Sequence, residues 1–146
     1  MKIKYYLFVP LCILTLCLSA CSDDDETGNA NAFVGQWSLI EETGYDYNGT
    51  PYTDTYPKGE DILVLEKDGT AYSITKNYDG SIDNGKGIDD YRWKVKNDKF
   101  LIDYNDGDGW MELTVKKITA DKMVLEFIDT EGQFDGEHTI STFERM

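Results

Sequence analysis

Hydrophobic and polar residues alternate with a period of two over most of the chain beyond residue 33, whereas helical periodicity is nearly absent. Tyr91, Trp93 and Val95, for example, alternate with three basic residues, which is the pattern of a strand with one buried face. Turn residues such as Asp68-Gly69 separate these runs. The pattern predicts eight strands, at residues 35–42, 61–67, 70–76, 91–96, 99–104, 110–118, 123–127 and 138–145.

The connections between these strands indicate how the sheet is arranged. Most are short hairpins between neighbours in sequence, which gives an antiparallel meander. Two polar stretches interrupt it: residues 43–59, with a ragged hairpin at Asn48-Gly49, and a long loop at 77–89. Because closure removes both sheet edges, we predict an all-β fold, a small antiparallel up-and-down eight-stranded barrel, with a β-sandwich as the alternative. Such a barrel is filled by side chains or holds one small ligand.

The first 32 residues differ in composition and predict export. A basic start precedes an apolar core at residues 7–18, which is shorter than the roughly 20 residues of a membrane span; a short transmembrane anchor is the alternative. The segment Leu18-Ser19-Ala20-Cys21 then forms a lipobox, with two small residues before a cysteine that can be acylated. We predict a lipoprotein signal peptide at 1–20, an acylated Cys21 with a flexible acidic linker at 21–32, and a barrel domain at 33–146.

The linker and the net charge narrow the choice of partners. Residues 22–26 (SDDDE) resemble the export signal that follows the acylated cysteine in surface lipoproteins of one large group of anaerobic Gram-negative bacteria. The resemblance implies an outer-membrane protein that faces the cell exterior and is held in the membrane by acyl chains, palmitate among them, on Cys21. The chain carries a net charge of −14; cleavage removes two of 14 basic residues and leaves 12 against 28 acidic ones, or −16. Such a surface repels phosphate backbones, so no nucleic-acid partner is expected.

A short signature connects the two ends of the predicted barrel. Gly35-Gln36-Trp37 matches the Gly-x-Trp signature of lipocalins, and Arg145 on the last strand matches the arginine that packs across that tryptophan. The hairpin at residues 65–70 (LEKDGT) is similar to one common in bacterial lipocalin-like lipoproteins. The domain therefore resembles a lipocalin-like barrel. The resemblance implies structural roles for Gly35, Trp37 and Arg145, with a cation–π contact of about 0.5–2 kcal/mol; the disulfide and C-terminal helix usual in lipocalins are not predicted.

The resemblance also implies a cavity for a small apolar or amphipathic molecule. Residues on the aligned strand faces are the candidate lining, namely Tyr72, Ile74, Trp93, Phe100, Ile102, Leu113, Leu125 and Phe127. Four tyrosines before the second strand are candidates for the mouth, namely Tyr45, Tyr47, Tyr52 and Tyr56. The alternatives are that the first group simply fills the barrel and that the tyrosines pack at an edge.

Metal and catalytic chemistry have little support in the sequence. Oxygen ligands at positions 1, 3, 5 and 12 of a twelve-residue loop give a weak calcium candidate, formed by Asp79, Ser81, Asp83 and Asp90. Position six of this loop lacks the glycine of an EF-hand, and Asp and Gly are also ordinary turn residues. No cofactor is predicted. His138, the only histidine, alternates to the opposite strand face from Ser141. We therefore predict that the protein is not an enzyme, with a glycosidase-like carboxylate pair as the alternative.

The expected function is that of a surface-anchored lipoprotein whose lipocalin-like barrel binds a small apolar or amphipathic ligand. The alternative is a filled-core barrel that acts as an accessory or structural subunit and contacts a protein partner at the cell surface through its tyrosine-rich loops. A pocket with apolar walls and an open mouth would favour the first function. A solid interior with an exposed patch of tyrosine and tryptophan would favour the second.

Overall fold

The computed structural model describes residues 29–130 and 136–146. The predicted signal peptide, the lipobox with Cys21 and most of the acidic linker lie outside these residues. Within residues 29–130 and 136–146, no helix is both long and apolar enough to cross a membrane.

In the described residues, ten antiparallel strands follow a 3-10 turn at Ala30–Ala32. They are β1 (Gly35–Tyr45), β2 (Pro51–Thr55), β3 (Asp61–Leu65), β4 (Thr70–Lys76), β5 (Ile82–Asn84), β6 (Tyr91–Lys96), β7 (Lys99–Asp103), β8 (Met111–Ile118), β9 (Lys122–Ile128) and β10 (His138–Arg145). Eight of them form a closed ring in the order β10-β9-β8-β7-β6-β4-β3-β1, because β1 also pairs with β10. The predicted all-β, closed eight-stranded antiparallel barrel is confirmed.

The two remaining strands are short additions to the ring. β2 pairs with the second half of β1, where the sequence predicted a ragged hairpin, and the Asp46 carboxylate accepts backbone N–H groups at the turn. β5 pairs with the end of β4 and lies in a segment that was predicted to be loop. Its three residues, Ile82 to Asn84, are all exposed, so they give no hydrophobic alternation by which a strand could be predicted.

The interior of the barrel is filled at one end. The buried cluster there comprises Phe33, Trp37, Leu65, Ala71, Trp93, Val95, Phe100, Ile102, Met123 and Leu125. Trp37 and Met123 are completely buried, and the Phe100 ring lies 5.8 Å from the Phe33 ring and 5.9 Å from the Trp93 ring. Rings at these separations are in contact, and the members of the cluster are almost completely buried, so this end is a filled hydrophobic core.

Arg145 seals the filled end by contacting Trp37, its direct partner across the β1–β10 pair. Its guanidinium carbon lies 4.1 Å from the centre of the Trp37 ring. The same group donates to the carbonyl oxygens of Ala32 (2.7 Å), Val34 (2.8 Å) and Ala120 (2.5 Å). Arg145 therefore connects the segment before β1, the last strand and the β8–β9 turn.

Gly35 makes room for this contact. Its backbone has φ +139°, and a Cβ atom built there would collide with a guanidinium nitrogen of Arg145. The indole N–H of Trp37 donates to the Phe33 carbonyl at 2.6 Å, which fixes the ring below the guanidinium. The glycine, the tryptophan and the arginine of the signature thus act together in one contact.

Replacing Trp37 with Ala should lower the free energy of unfolding by about 3–5 kcal/mol, because a large buried ring is lost and a cavity remains. Arg145→Ala should cost less, about 1–3 kcal/mol, since it removes charged hydrogen bonds at a partly exposed position. Arg145→Lys should recover little of that loss, because an ammonium cannot span three carbonyl groups as the planar guanidinium does. Denaturant unfolding of the three variants measures these differences; an unchanged midpoint for Trp37→Ala would contradict the proposed seal.

Candidate functional site

The barrel wall opens at the end opposite the Arg145 seal. The β1–β3 pairing stops at Ser38 and Ile62, and β4 pairs with β6 only through Thr70 and Ala71. The strands diverge beyond these points, with β2 and β5 as their new neighbours. A pocket of about 260 Å³ lies between them, just below the volume range of small-molecule sites, about 300–1,000 Å³.

Apolar and polar side chains both line this pocket. The lining comprises Leu39, Asp61, Ile62, Leu63, Ser73, Thr75, Tyr91, Tyr104 and Phe143. The rings of Tyr91 and Tyr104 meet edge to face, with centres 4.8 Å apart. The filled core forms the floor, because Leu63, Tyr91 and Phe143 also pack against the buried cluster. The arrangement can enclose a small molecule with an apolar body and one polar group.

A β-bulge brings a second carboxylate to the interior. β1 gains one residue at Ile40, between the pairs Leu39–Phe143 and Glu41–Thr142, so the inward positions of β1 shift by one after Leu39. Glu42 therefore lies opposite Ser141, which donates its hydroxyl to one carboxylate oxygen at 2.9 Å. The Tyr56 hydroxyl donates to the other oxygen at 3.0 Å. Both oxygens of Glu42 have partners.

The acidic surroundings change the proton affinity of two tyrosines. Burial, together with the hydrogen bond to Glu42 and its charge, raises the pKa of Tyr56 to about 12. Burial also raises the pKa of Tyr104, and nearby Tyr91, Asp106 and Glu42 raise it further. Tyr104 lies at the rim of the pocket, with 42% of its surface exposed. Both phenols stay neutral at physiological pH and can donate hydrogen bonds.

None of the eight predicted cavity residues lines the pocket. Six of them lie on the inner face of the barrel. Trp93, Phe100, Ile102 and Leu125 belong to the buried cluster, and Leu113 packs against it. Phe127 borders a separate groove beside Trp110 and Met111. The interior is therefore filled by most of the residues that the sequence proposed as cavity walls.

The other two predicted cavity residues, Tyr72 and Ile74, face outward. Their cross-strand partners are Val64 and Ile62, whereas the pair in the buried cluster is Leu65 with Ala71. Strict alternation then points Ser73 and Thr75 inward, where they line the pocket. The outer face of Tyr72 is covered instead by Lys86, whose ammonium lies 5.3 Å from the ring centre. The sequence assigned Tyr72 and Ile74 to the interior because the outward face of β4 is the more hydrophobic one.

The four predicted mouth tyrosines lie around the open end but do not line the pocket. Tyr45 and Tyr47 are 49% and 64% exposed. Tyr52 shares a 2.6 Å hydrogen bond with the Thr139 hydroxyl, and Tyr56 is bonded to Glu42. Two of the four therefore brace the rim, and two project into solvent.

The calcium candidate and the histidine lie apart from the pocket floor. In the described part of the chain, no group of three or more His, Cys, Asp or Glu side chains is arranged to hold a metal ion. Asp79 accepts the Ser81 hydroxyl within an exposed turn, Asp83 belongs to β5, and Asp90 accepts the Gly87 N–H. His138 contacts Glu126 at 2.9 Å, while Ser141 donates to Glu42.

Sequence reasoning missed all nine residues that line the pocket, Asp61, Tyr104 and Phe143 among them. Asp61 begins β3 and Phe143 lies near the end of β10, where alternation alone gives no sign that the interior is open. For these three residues, the only signal in the sequence was the alignment of Tyr104 with Phe100 and Ile102. This alignment places the Tyr104 ring on the inner face, two residues beyond the last core residue of β7.

Comparisons with known proteins agree with this architecture. The model of one protein family, described as a lipocalin-like domain, matches residues 33–125. Among solved structures, a lipocalin-like protein from Bacteroides uniformis ATCC 8492 is similar with a TM-score of 0.54 and 16% sequence identity. The match covers 79% of this chain and 99% of the other, and at that identity it shows the fold alone. No match was found among curated protein sequences.

The raised pKa of Tyr56 predicts a pH-dependent contribution to stability. The unfolded side chain ionises near pH 10 and the folded one near pH 12. The contribution of the Tyr56 hydroxyl is therefore complete below pH 10 and is lost as the pH rises from 10 to 12. We expect the stability difference between wild type and Tyr56→Phe, measured by denaturant unfolding, to be constant below pH 10 and to shrink above it.

In a Glu42→Gln background the pKa of folded Tyr56 should be raised less, because the charge of Glu42 is then absent. The stability contribution of the Tyr56 hydroxyl should therefore be lost over a narrower pH range, which still begins at pH 10 but ends at a lower pH. A difference between wild type and Tyr56→Phe that stays constant from pH 9 to 12 would contradict the assignment.

Proposed function

Because the chain belongs to the family of lipocalin-like domains, we propose that it binds a small apolar or amphipathic ligand in the open half of its barrel. The observation that carries the proposal is the 260 Å³ pocket with aromatic walls above a solid floor. Ser73, Thr75 and Asp61 supply polar groups on one side of it, while Phe143 and Leu39 supply apolar surface. This combination is typical of sites that hold one small molecule.

We also propose that the protein acts by binding rather than by catalysis. Glu42, the inward carboxylate with the best-defined geometry, is already bonded through both oxygens to Tyr56 and Ser141. The ring nitrogen of His138 is engaged by Glu126. Neither group is arranged as a nucleophile with its base.

A lipid anchor at the cell surface completes the proposal. Its support is the lipobox that ends at Cys21, followed by the acidic run at residues 22–26. Each methylene of an acyl chain contributes about 0.8 kcal/mol on burial in the membrane, so several chains on one cysteine give durable attachment. The linker would then hold the barrel at the outer face of the outer membrane.

The second candidate function is that of an accessory subunit that contacts a protein partner. The observation in its favour is that the filled core occupies most of the interior. Tyr45 and Tyr47 project into solvent beside the open end, as an interaction surface would. The two functions differ in whether the pocket or the exposed tyrosines are needed.

Filling the pocket should separate the two functions. Ser73→Phe places a ring in the pocket from the inner face of β4, whereas Thr53→Phe places the same ring on the exposed face of β2. We expect native mass spectrometry of the purified protein to find a retained small molecule in wild type and Thr53→Phe, and none in Ser73→Phe. Retention in all three, or a wild-type protein with no bound molecule that also takes up none from a cell extract, would contradict the ligand-binding proposal.

Replacing Cys21 with Ala should abolish the incorporation of labelled palmitate and release the protein from the membrane fraction, because no other residue of a mature chain starting at Cys21 carries a thiol. Sedimentation of wild type and variant after cell lysis measures the release. An Ala variant that still sediments with membranes, together with a wild type that incorporates no palmitate, would contradict the anchor.

A further inference from the structure

The charge of the pocket lining indicates the chemical class of the ligand. Resting on the ligand-binding function proposed above, we propose that the pocket prefers a small organic cation, a protonated amine or quaternary ammonium group on an apolar body. Asp61 would pair with the positive charge, and the rings of Tyr91, Tyr104 and Phe143 would enclose it.

Asp61 is the group that carries this inference. It lies on the inner face of β3, opposite Thr75, and is half-buried in the pocket wall. Its carboxylate makes no hydrogen bond or ion pair with any residue of the described part of the chain, unlike that of Glu42. The described residues that line the pocket include no Lys, Arg or His. A carboxylate in the pocket wall with no counter-ion attracts cations, and a bound cation would pair with it.

The aromatic walls suit the same ligand. Faces of tyrosine and phenylalanine rings attract cations within about 6 Å of their centres, and clusters of such rings are used to recognise quaternary ammonium groups. Tyr91, Tyr104 and Phe143 all line the pocket, and the first two meet edge to face. The raised pKa values of Tyr56 and Tyr104 keep both phenols neutral. Their hydroxyl groups therefore carry no charge and can donate hydrogen bonds to a ligand.

The wider charge distribution acts in the same direction. Glu42 and Asp61 both lie close enough to Tyr56 to influence its ionisation, so two negative charges lie at the open end. The whole chain carries a net charge of −14, which raises the local concentration of cations and repels anions. A fatty acid or another carboxylate ligand would meet repulsion from the surface, from Asp61 and from Glu42.

Three probes that share a phenyl ring and differ in their polar group test the preference. Isothermal titration calorimetry of the purified full-length protein would compare 2-phenylethylamine, 2-phenylethanol and 3-phenylpropanoate at pH 7. We expect the amine to bind at least about tenfold more tightly than the alcohol, as a hydrogen-bonded charge pair implies, and the carboxylate to bind more weakly than both.

Asp61→Asn removes the charge with little change in shape and should weaken binding of the amine about tenfold while leaving the alcohol unchanged. Asp98→Asn, in the exposed β6–β7 turn at the filled end, makes the same change in net charge and should leave all three affinities unaltered.

The possible results distinguish this inference from the function on which it rests. If the alcohol or the carboxylate binds as tightly as the amine, or if Asp61→Asn binds the amine as wild type does, the cation preference is overturned and the ligand-binding function stands. If no probe binds and the wild-type protein also retains no molecule in native mass spectrometry, both proposals are overturned. Equal losses of amine binding in Asp61→Asn and Asp98→Asn would assign the effect to net charge and overturn the role of Asp61.

Discussion

The contact of the Arg145 guanidinium with the Trp37 ring, 4.1 Å apart, is the constraint on which the rest of the barrel depends. A meander of antiparallel strands has two free edges, and they disappear only when β1 and β10 pair. Arg145 joins that pairing to the segment before β1 and to the β8–β9 turn through three carbonyl oxygens. Arg145 therefore strengthens the closure at this end by holding three segments together through one cation.

The sealed end also determines where a ligand can be held. Side chains from the eight ring strands converge on Trp37 and exclude water, so the interior near the seal has no room for another molecule. Farther along the barrel, β1 separates from β3 and β4 separates from β6, and the interior widens into the pocket. The filled core and the candidate pocket thus lie at opposite ends of the same interior, so polar residues can line one end without weakening the core at the other.

The sequence predicted the strands and their closure well, because alternation and turn chemistry are local properties of the chain. The residues that it proposed as cavity lining differ from those that line the candidate pocket, for reasons visible in particular residues. Tyr72 and Ile74 were assigned to the interior because hydrophobic residues usually face the core, but Lys86 covers Tyr72 on the outside and Ser73 and Thr75 face the pocket. Trp93 and Phe100 did point inward, yet no local pattern distinguishes a wall of a cavity from a residue that fills it. Asp61 lines a pocket only because β1 separates from β3 and β4 separates from β6, and these are strands distant in sequence.

The extra residue at Ile40 has a consequence for comparing related chains. Before it, the inward residues of β1 are Trp37 and Leu39; after it, Glu42 faces Ser141 inside the barrel. A relative with a regular strand of the same length would place the residue aligned with Glu41, not Glu42, in the interior. An ungapped alignment across this position would then equate an interior side chain with a solvent-facing one. Homologous pockets in such chains must therefore be matched by strand face rather than by counting residues from the tryptophan.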